Sequence, residues 1–123
     1  MRLTELDPHW VGAGGEGIFN ADGTPVPARH GVGLSFLCPC LTCVAKRTGD
    51  PDEDFYLRHF VGFANPVAGG PPHDIREGAQ WTRTGETFET LSVRPSILSA
   101  VAKGGCGWHG FIGLNVPGDV TTC

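Results

Sequence analysis

The chain has no apolar run approaching the roughly 18 to 20 residues that a membrane-spanning helix requires, so a transmembrane helix is excluded. Met1-Arg2-Leu3-Thr4-Glu5 offers no apolar leader either, and the resulting expectation is a cytoplasmic protein whose thiols stay reduced. Basic residues are scarce: nine Lys and Arg face thirteen Asp and Glu, for a net charge of −4. A surface that tracks phosphates needs clustered cations, and only Lys46 and Arg47 are adjacent. Nucleic-acid binding is therefore disfavoured, a DNA-binding zinc ribbon included. Long helices are disfavoured as well, because nineteen glycines and ten prolines are poorly tolerated in helix interiors and suit turns between short strands.

Against these absences stand five cysteines, three of them in Cys38-Pro39-Cys40-Leu41-Thr42-Cys43 and a fourth in Cys106-Gly107-Trp108-His109. Thiolates and imidazoles grip zinc at roughly 2.0 to 2.3 Å, and two donors separated by two residues can hold one ion from a single turn. Cys40 with Cys43 has that spacing, and so does Cys106 with His109. Cys38, Cys40, Cys43, Cys106 and His109 make five donors for four tetrahedral positions, so one is surplus. Spacing favours Cys40 and Cys43; a Cys-Pro turn starting at Cys38 is the alternative. Disulfides fit less well, since an odd cysteine count leaves one thiol unpaired and Cys38 is badly placed to bridge Cys40. Cys123 reads as an exposed tail thiol. The expected cofactor is zinc, and its removal should loosen or unfold so small a domain.

One domain is expected from 123 residues. Its class is α+β but mainly β, a small zinc-binding domain of short antiparallel strands with one short helix. Asp22-Gly23 is a hairpin signal. Gly33–Cys38 alternates like a half-buried strand leading into the first cysteine turn, Asp50-Pro51-Asp52 marks a turn, and the aromatic stretch Phe55–Phe63 reads as a strand. Gly78–Thr84 and Phe88–Val93 suggest two strands that pair, and Gly110–Val116 a last one. Pro95 suits a helix start, predicting a two-turn helix over Ser96–Ala102.

Several chemistries fail on missing parts. The glycine cluster Gly12–Gly17 lacks the Gly-Lys-Ser/Thr ending of a phosphate loop. Pro39-Cys40-Leu41-Thr42-Cys43 matches half of the zinc nucleobase deaminase signature, but no His-x-Glu precedes it. A cysteine nucleophile would compete with the metal for the same thiols. His30, His59 and His73 lack ligand spacing and are expected to face solvent; Trp81 and Trp108 are expected in the core or shielding the metal.

A Cys-Pro-Cys cluster after a strand (Cys38 to Cys40), the segment Phe63-Ala64-Asn65-Pro66, Trp81-x-x-x-Gly85-x-x-x-Glu89, Pro95-Ser96-Ile97 and Cys106-x-x-His109-Gly110-Phe111-Ile112 occur in that order. Together they resemble the bacterial and phage family catalogued as domain of unknown function 6527, from Gly33 to Ile112. The chain departs from it in Cys43 and in an insertion over Val44–Asp54. The resemblance implies, for relatives beside ubiquitin-like conjugation genes, a peptidase acting on a ubiquitin-like or other protein tail; for phage relatives it implies no assigned role. In a zinc hydrolase the metal would activate water, Glu89, chosen from the matched segment, would accept its proton, and Ser96 would donate to the oxyanion or the water. The plainer alternatives are a solvated carboxylate for Glu89 and a helix cap for Ser96. If four protein ligands close the zinc, the expectation shifts to a non-enzymatic binding or adaptor module.

Overall fold

The computed structural model describes residues 1–13, 17–70, 80–99 and 106–122. Among them are seven strands in two antiparallel sheets and two short helices. The first sheet has the order β1 (His9–Gly12), β2 (Gly31–Leu37), β3 (Arg58–Gly62), and the second the order β4 (Thr82–Thr84), β5 (Ser92–Leu98), β6 (His109–Ile112), β7 (Val120–Thr122). Helices α1 (Leu41–Lys46) and α2 (Pro51–Asp54) both lie in the β2–β3 connection. The mainly β class read from the glycine and proline content thus holds, while the helical residues lie elsewhere than expected.

β2 is the middle strand of its sheet, and its residues are buried on both faces from Gly31 to Phe36. That exceeds the half-burial its alternation suggested. Ser35 is tolerated there because its hydroxyl accepts from Arg58 Nε at 2.9 Å, and a buried hydroxyl without a partner would be costly. Arg58 in turn reaches the Asp7 carboxylate at 3.1 Å, tying the start of β3 to the segment before β1.

The two sheets share one core, in which Leu3, Leu34, Phe36, Val61, Phe63, Leu91, Val93, Ile97 and Ile112 are buried. Trp81 marks the seam between them. Its N–H donates to Gly62 at 2.8 Å, its carbonyl accepts from Ala64 at 2.8 Å, and it forms a parallel bridge with Phe63. Trp108 is also buried, with its ring 5.0 Å from His59 and 6.0 Å from Phe36. Both tryptophans are core residues, as expected. Gly110 permits this packing, because a Cβ there would meet the Trp108 indole and the Thr121 carbonyl.

Two expectations are corrected. Ser96-Ile97-Leu98 continue β5, so a helix does not begin there; Ala100–Ala102 lie outside the described residues. Pro95 sits where β5 bulges away from β6, a place that suits a residue without an N–H. His59 is 5% exposed, since it lies on β3 opposite Phe36 and packs on two rings. His30 is exposed, as read, while His73 and Cys123 lie outside the described residues.

The cysteine connection is organised by caps. Cys40 caps α1, its sulfur accepting from the Cys43 N–H at 3.4 Å, and Asp50 caps α2, accepting from the Asp52 N–H at 2.9 Å with Pro51 in the first turn. The buried Asp54 carboxylate closes the loop between the helices, accepting from Thr48 N–H at 2.8 Å and Gly49 N–H at 3.0 Å. The Thr48 N–H bond chiefly holds its pKa below the ordinary value. A group with a depressed folded pKa stabilises above its unfolded value, and that contribution is lost as pH falls through the folded one. Asp54→Asn should therefore melt a few degrees lower than the parent at neutral pH, with the gap closing as pH falls below about 4. A gap constant from pH 7 to pH 2 in thermal melts would show that the carboxylate charge plays no part.

Candidate metal centre and a serine–histidine pair

The sulfurs of Cys38, Cys40, Cys43 and Cys106 all lie within 4.8 Å of one another. Three come from the first sheet's side: Cys38 follows β2, its N–H held by the Leu57 carbonyl at 2.9 Å, Cys40 caps α1, and Cys43 lies within it. The fourth crosses from the second sheet. The Cys106 turn is strapped to the end of β5, with Gly107 N–H donating to the Ser99 carbonyl at 2.7 Å and Ser99 N–H donating to the Trp108 carbonyl at 2.8 Å.

Sulfur spacing decides what this cluster suits. A disulfide needs about 2.05 Å, whereas Cys38 and Cys106 are 3.6 Å apart and Cys40 and Cys106 3.8 Å. Four thiolates at about 2.3 Å around a tetrahedral zinc are separated by about 3.8 Å. The donor set is soft, the spacing is that of a tetrahedron's edge, and the residues fit zinc. Such a site is closed by four protein ligands, the arrangement of structural zinc. When bound, the ion supplies a cross-link between the two sheets.

The thiols are unequal. Burial, reinforced by the neighbouring thiols, pushes Cys38 far above its ordinary value and Cys43 up to about 11. Burial raises Cys106 too, but the Trp108 N–H and bonds from Cys38, Cys43 and Cys40 outweigh it and bring Cys106 down to about 7. Zinc must displace protons from Cys38 and Cys43 at any pH near neutral, and from Cys106 as well below about 7. Zinc affinity should fall at least about 100-fold per unit of acidification between pH 8 and pH 7, and more steeply below. Competition titrations against a chromogenic chelator at several pH values measure this; a slope below one proton per zinc would contradict the protonated cluster.

His109 is not gathered with the sulfurs. It opens β6 opposite Leu98 of β5, and its Nε2 lies 2.7 Å from Ser96 Oγ. The surplus donor among the five candidates is thus, by position, the histidine. The Cys-x-x-His spacing suggests a chelating turn, but after Cys106 the chain enters β6, whose pairing sets His109 opposite Leu98 with its imidazole against Ser96. The partnership of Ser96 with His109 was not legible from spacing. Its only sequence signal is that Pro95-Ser96-Ile97 and His109-Gly110-Phe111 flank the cysteine turn on either side.

The β5–β6 ladder explains how Ser96 reaches the imidazole. Val93 pairs with Ile112 and Ile97 with Gly110, so Arg94, Pro95 and Ser96 together oppose Phe111. Side chains replace the ladder across this bulge. The Arg94 guanidinium donates to the carbonyls of Ile112 at 3.2 Å and Gly113 at 2.9 Å, and Trp81 Nε1 donates to the Ser96 carbonyl at 3.1 Å.

Glu89 lies apart from this region. It is an exposed turn residue whose carbonyl accepts from Arg2 at 3.4 Å and backs onto Gly118. It precedes β5, whereas the cysteine turn follows β5, and at about 3.3 Å per residue the two ends are roughly 20 Å apart. Ser96, by contrast, is half-buried in the strand beside His109. Among the described residues no helix is long and apolar enough to cross a membrane. No family model matches the chain, and no curated protein or solved structure is significantly similar to it.

Proposed function

We propose that the chain is a small acyl-transfer hydrolase, a peptidase acting on a protein tail, in which Ser96 is the nucleophile, His109 its base, and a Cys38, Cys40, Cys43, Cys106 zinc purely structural. The observation that carries this reading is the 2.7 Å contact between Ser96 Oγ and His109 Nε2, since a hydroxyl within hydrogen-bond reach of an imidazole supplies the nucleophile and the base of an activated serine. The resemblance noted above agrees in kind, because it implies a peptidase for ubiquitin-like tails. It differs in chemistry, because a zinc closed by four thiolates has no position for water.

In the proposed reaction Ser96 Oγ attacks the scissile carbonyl while its proton passes to His109 Nε2. The imidazolium then protonates the leaving amine, and the acyl group stays on Ser96. Water, deprotonated by the same nitrogen, releases the acid and regenerates the hydroxyl. Reduced thiols in the zinc cluster accord with a cytoplasmic setting. The test is labelling with a fluorophosphonate probe followed by peptide mapping. Modification at Ser96 that disappears in His109→Ala is the expected result; an unlabelled Ser96 would turn the reading to its alternative, a binding or adaptor module built on the structural zinc. That alternative draws on the exposure of Leu41 (88%) and Tyr56 (89%), since the first opens α1 within the cysteine segment and the second lies in the turn between α2 and β3.

Glu89 has no role in this mechanism. Glu89→Gln should leave both turnover and zinc content within about twofold of the parent, surface substitutions away from special features being nearly neutral. A loss of a hundredfold or more in steady-state turnover would restore Glu89 as the base and remove His109 from that role.

A further inference from the structure

We infer that Trp81 is a positioning residue for Ser96, its indole N–H standing in for the ladder bond that the bulge removes. The inference rests on the serine–histidine reading above and deepens it. Ser96 lies in a part of β5 where three residues oppose one of β6, so regular pairing does not fix its backbone as it fixes Ile97 against Gly110. Two side chains hold the irregular segment instead. Arg94 fastens its start to the carbonyls at the end of β6, and Trp81 fastens its end through Nε1 to the Ser96 carbonyl at 3.1 Å.

Trp81 is suited to that task because it is itself fixed. It is 6% exposed, its backbone is bonded on both sides to the chain leaving β3 at Gly62 and Ala64, and it belongs to the shared core. The indole therefore transmits the position of the first sheet to the nucleophile of the second. A strand residue's side-chain direction follows its backbone, and Ser96 Oγ must sit within about 3 Å of an imidazole that β6 places independently. An error near 1 Å in such a pair costs about 100-fold in rate. Trp81 bonds the Ser96 carbonyl and not its hydroxyl, so its effect should fall on kcat and leave KM unchanged.

The test uses the full chain loaded with zinc and compares Trp81→Phe with the parent. The expected result is a fall of tenfold or more in the rate of fluorophosphonate labelling at Ser96, a matching fall in kcat, and one zinc per chain retained. A labelling rate within twofold of the parent would overturn the inference. If Trp81→Phe does not fold, β-(3-benzothienyl)alanine placed at position 81 keeps the ring's shape and removes only the N–H, and the same two outcomes apply. Should the parent itself fail to label at Ser96, the hydrolase reading falls. Positioning is then judged by the ring nitrogens of His109 in NMR spectra: shifts in the Trp81 variant that move to those of Ser96→Ala support it, and unchanged shifts refute it.

Discussion

Removing zinc with a strong chelator is expected to lower the melting temperature by at least about 20 °C or to abolish cooperative unfolding altogether. The magnitudes decide this. Structural zinc contributes about 10 to 16 kcal/mol of apparent binding free energy at neutral pH, while the net stability of a whole domain is about 5 to 15 kcal/mol. The shared core of Leu34, Phe36, Phe63, Val93 and Ile112 is what remains without the ion, and it must also hold a segment in which Cys38 and Cys40 precede a six-residue helix, Cys43 lies within it, and a four-residue helix follows. Helices that short have little stability of their own. Among single substitutions, Cys106→Ser should come closest to chelation, since Cys106 is the one ligand carried by the second sheet. Zinc content by mass spectrometry and thermal melts report both effects. Unchanged melting after complete metal removal would mean that the core alone carries the fold and that the sulfur cluster is incidental.

The parts of the molecule that were readable from sequence are those set by short-range geometry. Cys38, Cys40 and Cys43 fall within six residues, and any turn that satisfies their backbone brings the sulfurs together; here the turn becomes α1 with Cys40 as its cap. β2 announced itself by the alternation over Gly33–Cys38, and the Asp22-Gly23 turn is closed as its residues suggest, with Asn20 N–H donating to the Thr24 carbonyl at 2.7 Å. What could not be read depends on pairing between distant segments. Ser96-Ile97-Leu98 have no local reason to refuse a helix, and only the pairing of Ile97 with Gly110 and Leu98 with His109 makes them a strand. His59 looks like any strand histidine until Trp108 arrives from the other sheet and covers it. The same non-local register moved His109 from the metal to Ser96, turning a ligand expectation into a serine–histidine pair.

Ser96→Ala and His109→Ala should each lower kcat on an ester or peptide substrate by about 10³-fold or more, and the double substitution should cost little beyond either single one. The reasoning is that a nucleophile and its base act as a unit, so removing one leaves the other with nothing to do. Zinc content separates this account from the one that makes His109 a ligand. With Nε2 bonded to Ser96 at 2.7 Å and four sulfurs already gathered, His109→Ala should bind zinc as tightly as the parent. Were His109 a ligand in place of a cysteine, the same substitution would weaken zinc binding at least about tenfold and lower the melting temperature with it. Steady-state kinetics on the four proteins, with a zinc competition titration on each, therefore test two claims at once. Additive losses in kcat would mean that Ser96 and His109 act separately, and a zinc deficit confined to His109→Ala would return the imidazole to the metal.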